Sequence, residues 1–160
     1  MSYALGPLLL VAIVANGLLA GLFFVFSVAI GPGFGRVDDA TYVRAFRAIN
    51  AAILNGMFVS VFFVAPLAAV GCVLLHVWQD GSTSLPWVIA AAVCSVLTFG
   101  ITTAVNVPLN RELDQAPITT DQQRQAARQR FESRWNRWNY ARTATSAGAL
   151  TLLATTLAVA

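Results

Sequence analysis

The chain has 160 residues, 58% of them hydrophobic and only 11% charged, with a formal net charge of +3 and a mean hydropathy of +0.69. Such a composition leaves a water-soluble globule too little polar surface to cover itself, so a soluble domain is excluded and a membrane protein is indicated. The basic residues are all arginine and occupy only two stretches of the chain, which leaves no basic face for nucleic acid.

Crossing a hydrocarbon core takes about 20 mostly apolar helical residues. Four segments reach that length, at 5–30, 51–77, 85–105 and 141–160, the last of them rich in Thr and Ala. The sequence therefore predicts one integral membrane domain over 1–160, an all-α bundle of four transmembrane helices. Three arginines lie between spans one and two and seven between Asn110 and Thr143. By the positive-inside rule both of those connections are cytoplasmic in a cell membrane, and the N-terminus, the loop at 79–84 and the C-terminus lie outside. The first span lacks a basic leader and is too long for a removable signal peptide.

Span one is expected to break at Gly31-Pro32-Gly33. Asp38 or Asp39 then caps a new helix whose apolar positions Tyr42, Phe46, Ile49 and Ile53 lead it straight into span two, with Arg44 and Arg47 on its wet side. Pro66 is expected to kink span two, and Leu85-Pro86 to open span three. At Val107-Pro108 span three is expected to unwind. Thr119-Thr120-Asp121-Gln122-Gln123 reads as a capping box that starts an amphipathic cytoplasmic-side helix. On that helix Ala127, Phe131, Trp135, Trp138 and Arg142 share a side, and the helix turns into span four without a breaker.

Polar side chains inside spans need partners, so they are the informative ones. They are Asn16 and Ser27 in span one, Asn50 and Asn55 at the start of span two, and Thr98, Thr102, Asn106 and Asn110 along span three. Such groups either bond one another as interhelical glue or line a cavity for a ligand. Trp135, Trp138, Asn139 and Arg142 reach the same leaflet, which favours a site, although Trp is also expected in an interfacial belt and Arg142 can snorkel.

No Asp or Glu lies within a span, which argues against a proton-coupled transporter. Cys72, His76 and Cys94 are a weak candidate metal set, unsupported by a carboxylate or second histidine, and the two cysteines otherwise read as small packing residues. There is no serine-histidine-acid set, no phosphate-binding glycine loop and no CxxC pair, and no cofactor is identifiable.

Taken together, "NVPLN" after span three, "RWNRWNYARTAT" entering span four, "GLLAGLFFVFSVAIGP" and "INAAILNGMF" resemble the anthrone oxygenase-like family of four-helix integral membrane proteins. The likeness covers nearly the whole chain. Matched position by position, the family's recurrent polar set falls on Asn106, Pro108, Asn110, Trp138, Asn139 and Arg142, with Asn50 as a further match. In many relatives a histidine follows the Trp-Asn pair, where this chain has Tyr140.

Fungal relatives are credited with oxidising anthrones to anthraquinones, and most bacterial members have no assigned activity. The resemblance implies an oxidoreductase that uses O2 as co-substrate on an anthrone, polyketide-type or quinol-like molecule. Its ligand-binding candidates are Asn50, Asn106, Asn110, Trp135, Trp138, Asn139 and Arg142, in the inner leaflet. The alternative is a non-enzymatic bundle serving as a structural or partner subunit; a small-molecule transporter is a third reading. The expected partners are the bilayer and a small hydrophobic ligand, with homo-oligomerisation left open.

Overall fold

A computed structural model describes residues 4–78 and 84–159, and the described residues form five helices with no strand. Helix α1 runs over Leu5–Phe34, α2 over Asp39–Ile53, α3 over Gly56–Trp78, α4 over Leu85–Gln115 and α5 over Asp121–Val159. The four long helices close a ring in which α1 packs on α3 and α5, and α4 packs on the same two. The short α2 lies across one end, against α5 and the last turns of α4. Most of the predicted loop at 79–84 and the final residue of the predicted fourth span lie outside the described residues.

Three helices, α1, α3 and α4, are long and apolar enough to cross a membrane. Large apolar side chains such as Leu18, Leu67, Leu74 and Leu97 point outward from them, as lipid-facing side chains do. Residues 141–159 of the segment expected as a fourth span are the C-terminal half of the 39-residue α5, and they fall short of those three in hydropathy. Its threonines are internally satisfied: Thr143, Thr145, Thr151, Thr155 and Thr156 each donate to the carbonyl one turn earlier, at 2.9 to 3.0 Å.

Two expected breaks are absent. Span one does not stop at Gly31-Pro32-Gly33; it widens into a π-turn over Phe26–Ile30 and continues to Phe34. Span three likewise does not unwind at Val107-Pro108, but passes through a π-turn over Thr102–Asn106 and runs on to Gln115. Each proline stands two residues after a π-turn, in the first turn of the α-helix that resumes. There its missing N–H is least costly, because the wider turn has already shifted the hydrogen-bond register.

A third expectation fails in the opposite sense. Helix α2 does not run into span two, because Leu54 leaves helical geometry and the chain restarts at Gly56. Asn55 stabilises this junction from both sides, donating to Ala52 O and accepting from Phe58 N–H at 3.0 Å. The other caps match the sequence reading. Asp38 accepts from Thr41 N–H at 2.9 Å, while Thr120 and Gln123 exchange side-chain and backbone bonds as a capping box. Pro66 lies inside an uninterrupted α3.

Arg47 was expected in water, yet it caps the end of α4, giving two bonds to Leu113 O and a 2.6 Å bond to Ala116 O. Arg128 does the same for α1, donating to Phe34 O at 3.0 Å and Val37 O at 2.8 Å, and pairing with Asp39 and Glu132. A cation at a helix C-terminus satisfies carbonyls that have no partner in the helix and complements its dipole. Between these anchors lies an aromatic core in which Phe46 meets Phe131 and Trp135 edge-on, at centroid distances of 4.7 and 4.9 Å. Burial in that core pushes the Tyr42 phenol above its ordinary pKa, under the Arg128 guanidinium.

Candidate functional site

The π-turn of α1 displaces backbone groups, and side chains take them up. The carbonyl of Phe23 accepts from the Ser27 hydroxyl at 3.0 Å and from the Asn139 amide at 3.0 Å. Asn139 also donates to Ser27 Oγ at 2.9 Å, and its own oxygen accepts from Arg142 Nη2 at 2.8 Å. The irregular turn thus fixes an asparagine, and the asparagine fixes an arginine.

Arg142 is 5% exposed, with its guanidinium 4.2 Å from the centre of the Phe23 ring and 5.1 Å from that of Trp135. Aromatic faces attract a cation, though they do not neutralise it. None of the ion pairs among the described residues includes Arg142, and its Nε has no hydrogen-bond partner. A buried, unpaired charge is costly to keep, so its retention asks for an explanation.

Arg142 borders a cavity of about 60 Å³. Its walls are Phe23 and Phe26 of α1, Asn50 and Ile53 of α2, Leu54 of the junction after it, Phe58 of α3, Thr102 and Asn110 of α4, and Trp135 of α5. Four of the seven candidate residues, Asn50, Asn110, Trp135 and Arg142, therefore meet at one space. Asn110 accepts the Trp135 indole N–H at 2.8 Å, whereas the Asn50 amide nitrogen has no partner.

The other three candidates stand apart from the cavity wall. Asn139 lies behind Arg142 and lines a second, polar cavity of about 210 Å³ with Ser27, Asn136 and Tyr140. Asn106 is wholly buried in the π-turn of α4, between Thr102 and Asn110 on one helix face, and neither its amide oxygen nor its nitrogen is bonded. Trp138 is half-buried elsewhere, with Arg137 5.9 Å from its ring centre.

The remaining in-span polar groups behave as interhelical glue. Ser27 meets Thr143 at 3.0 Å, Thr98 meets Thr145 at 2.7 Å, and Asn16 donates to Ala65 O across to α3 at 3.4 Å. At the opposite end of the bundle, both ring nitrogens of His76 are engaged, with Cys72 O at 2.9 Å and Ser84 Oγ at 3.1 Å. Cys72 and Cys94 are free thiols, and no group of three metal-ligating side chains occurs among the described residues.

Phe23 and Phe26 were not among the sequence candidates. Nothing separates them from other apolar residues of span one until the fold sets Phe23 under Arg142 and both rings on the cavity wall. The sequence signal that was available is the proline shared by both interrupted helices, at Pro32 and Pro108.

The family model described as anthrone oxygenase matches residues 46–152, more than half of the chain, and that stretch contains every candidate site residue. No curated protein and no solved structure matches the chain.

Proposed function

This chain belongs to the anthrone oxygenase family, and from that premise we propose that it oxidises a hydrophobic, anthrone-type carbon acid with O2 in the cavity beside Arg142. The observation that carries this reading is the buried guanidinium with no carboxylate partner, set between aromatic walls. Such a site suits a reaction in which negative charge develops on an oxygen.

An anthrone loses a proton from its ring methylene, and the charge spreads to the ketone oxygen. Arg142 and Asn50 line the cavity, their Nε and Nδ2 are buried donors without partners, and both serve that oxyanion. Among the described residues no carboxylate or imidazole lines the cavity, so the proton leaves to a water held in it, and the guanidinium raises the acidity of the methylene. The enolate passes one electron to O2, and the two radicals combine at the ring carbon as a peroxide anion. That anion takes a proton back from water to become the hydroperoxide, and loss of water with the remaining ring C–H proton leaves a second carbonyl. One O2 is consumed, one CH2 becomes C=O, and one water is released. Phe23 and Trp135 keep bulk water away, while Asn139 and Asn110 act as positioning residues for Arg142 and Trp135.

The same reading sets the segment 141–160 across the bilayer as a fourth span, with both arginine-bearing ends in the cytoplasm and the termini outside. The back-bonded threonines support it, since their hydroxyls present no unsatisfied group to lipid. A non-enzymatic bundle is the second reading, favoured by the Ser27–Thr143 and Thr98–Thr145 bonds.

The test uses purified protein in detergent with emodin anthrone under air, following anthraquinone absorbance and O2 uptake. Oxidation above the protein-free control that falls in Arg142→Gln and Asn106→Ala is expected. Rates equal to that control would remove the oxygenase reading.

A further inference from the structure

We infer that the Arg142 cavity is an anion site, built to take a hydrophobic monoanion with its charged oxygen on Arg142 and its apolar body toward the bilayer. The inference concerns the same cavity as the oxidation, but it stands on charge and geometry and holds whether or not anything is turned over.

The polarity of the unmet groups comes first. Among residues that line the cavity, the buried atoms without partners are Arg142 Nε and Asn50 Nδ2, and both are N–H donors. The side-chain oxygen of Asn110 accepts the Trp135 indole N–H, and Arg142 is the one charged residue among the described residues of the wall. A space that offers donors, one of them cationic, selects an anion over a neutral molecule of the same shape.

Size and mobility locate the rest of the ligand. At about 60 Å³ the cavity is well below the roughly 150 Å³ that takes a single benzene ring. A ring system therefore displaces a wall. The α1 and α5 walls are tied by Asn139 to Phe23 and by Ser27 to Thr143, and the α4 and α5 walls by Asn110 to Trp135. The remaining wall is the α2–α3 junction, whose side-chain bonds are the local ones of Asn55. Leu54 at this break is 71% exposed and Met57 beside it is also exposed, so the wall that can yield is the one that faces lipid.

The experiment places the protein in phosphatidylcholine nanodiscs at neutral pH, with Trp78, Trp87 and Trp138 changed to phenylalanine so that Trp135 is the remaining indole. Quenching of Trp135 is titrated with anthracene-9-carboxylate and with neutral 9-methylanthracene. Saturable quenching with a Kd at least tenfold lower for the carboxylate is expected, and Arg142→Gln should erase that difference. If Arg142→Gln does not fold, Asn50→Leu is the second variant, and it should weaken the carboxylate several-fold while leaving the neutral probe unchanged. Equal affinities for the two probes, or a preference undiminished in the variant that folds, would overturn the inference. Anion binding without oxidation of emodin anthrone sinks the oxygenase reading alone; oxidation without anion preference sinks this one alone.

Discussion

Trp135 donates its indole N–H to the side-chain oxygen of Asn110 at 2.8 Å, across the gap between α5 and the extension of α4 beyond its π-turn. The bond joins two helices at the cavity wall and uses the one polar atom of an otherwise apolar ring. Trp135→Phe keeps the ring and removes the donor, leaving Asn110 short of a partner. A loss of about 1–2 kcal/mol is expected for such a half-buried bond, read as a lower Tm in detergent. An unchanged Tm would show that water replaces the indole.

Asn106 separates the two readings of the polar set. It is fully buried and both its amide atoms are unbonded, so in the ligand-free protein it opposes folding. Asn106→Leu, close in volume, is expected to raise stability by about 1–3 kcal/mol and to depress oxidation of emodin anthrone. A drop in Tm would favour the structural reading, in which the amide holds helices together.

Arg47 and Arg128 cap the ends of α4 and α1 through backbone carbonyls. Removing either guanidinium leaves several carbonyls unmet at once. Arg47→Gln is expected to speed amide hydrogen exchange over the last turns of α4 by roughly tenfold, as about 1.4 kcal/mol of local stability requires, and to leave the outer half of the bundle unaffected. Arg44→Gln, on an exposed position of the same helix, is the comparison and should have no such effect.

The orientation of the chain is open to a direct measurement. Single cysteines at Ala160 and at Arg124, introduced into a variant lacking Cys72 and Cys94, should divide by side in intact cells. An impermeant maleimide is expected to label the position near the C-terminus and to spare the arginine-rich end of α5. Labelling of both from the same side would rule out the segment 141–160 as a span.

Asn139→Ala tests the coupling of the α1 π-turn to Arg142. The change removes donors to Phe23 O and Ser27 Oγ and the acceptor for Arg142 Nη2 together. Turnover is expected to fall by about 10-fold or more, as a guanidinium set loose from its contact would predict. Asn139→Asp keeps an oxygen against Arg142 but pairs its charge and loses the donor to Phe23 O, so it is expected not to restore activity.

Hydrophobic patterning and cap chemistry are local properties, and the sequence by itself determined the helical class and the caps that rest on them. The helical class, the lipid-facing character, the Asp38 cap, the Thr120–Gln123 capping box and the turn from the amphipathic helix into 141–160 were all legible there. The family's polar residues were legible too, as a set without a geometry. What only the tertiary structure decided depends on where backbone groups find partners. Pro32 and Pro108 read as helix stops, yet packing against α2 and α5 makes it cheaper to widen one turn and continue, because arginines from other helices cap the extended ends. Those two π-turns then decide the site. They bring Asn139 to the Phe23 carbonyl, hold Arg142 between Phe23 and Trp135, and bury Asn106 without a partner, relations that no spacing along the chain expresses.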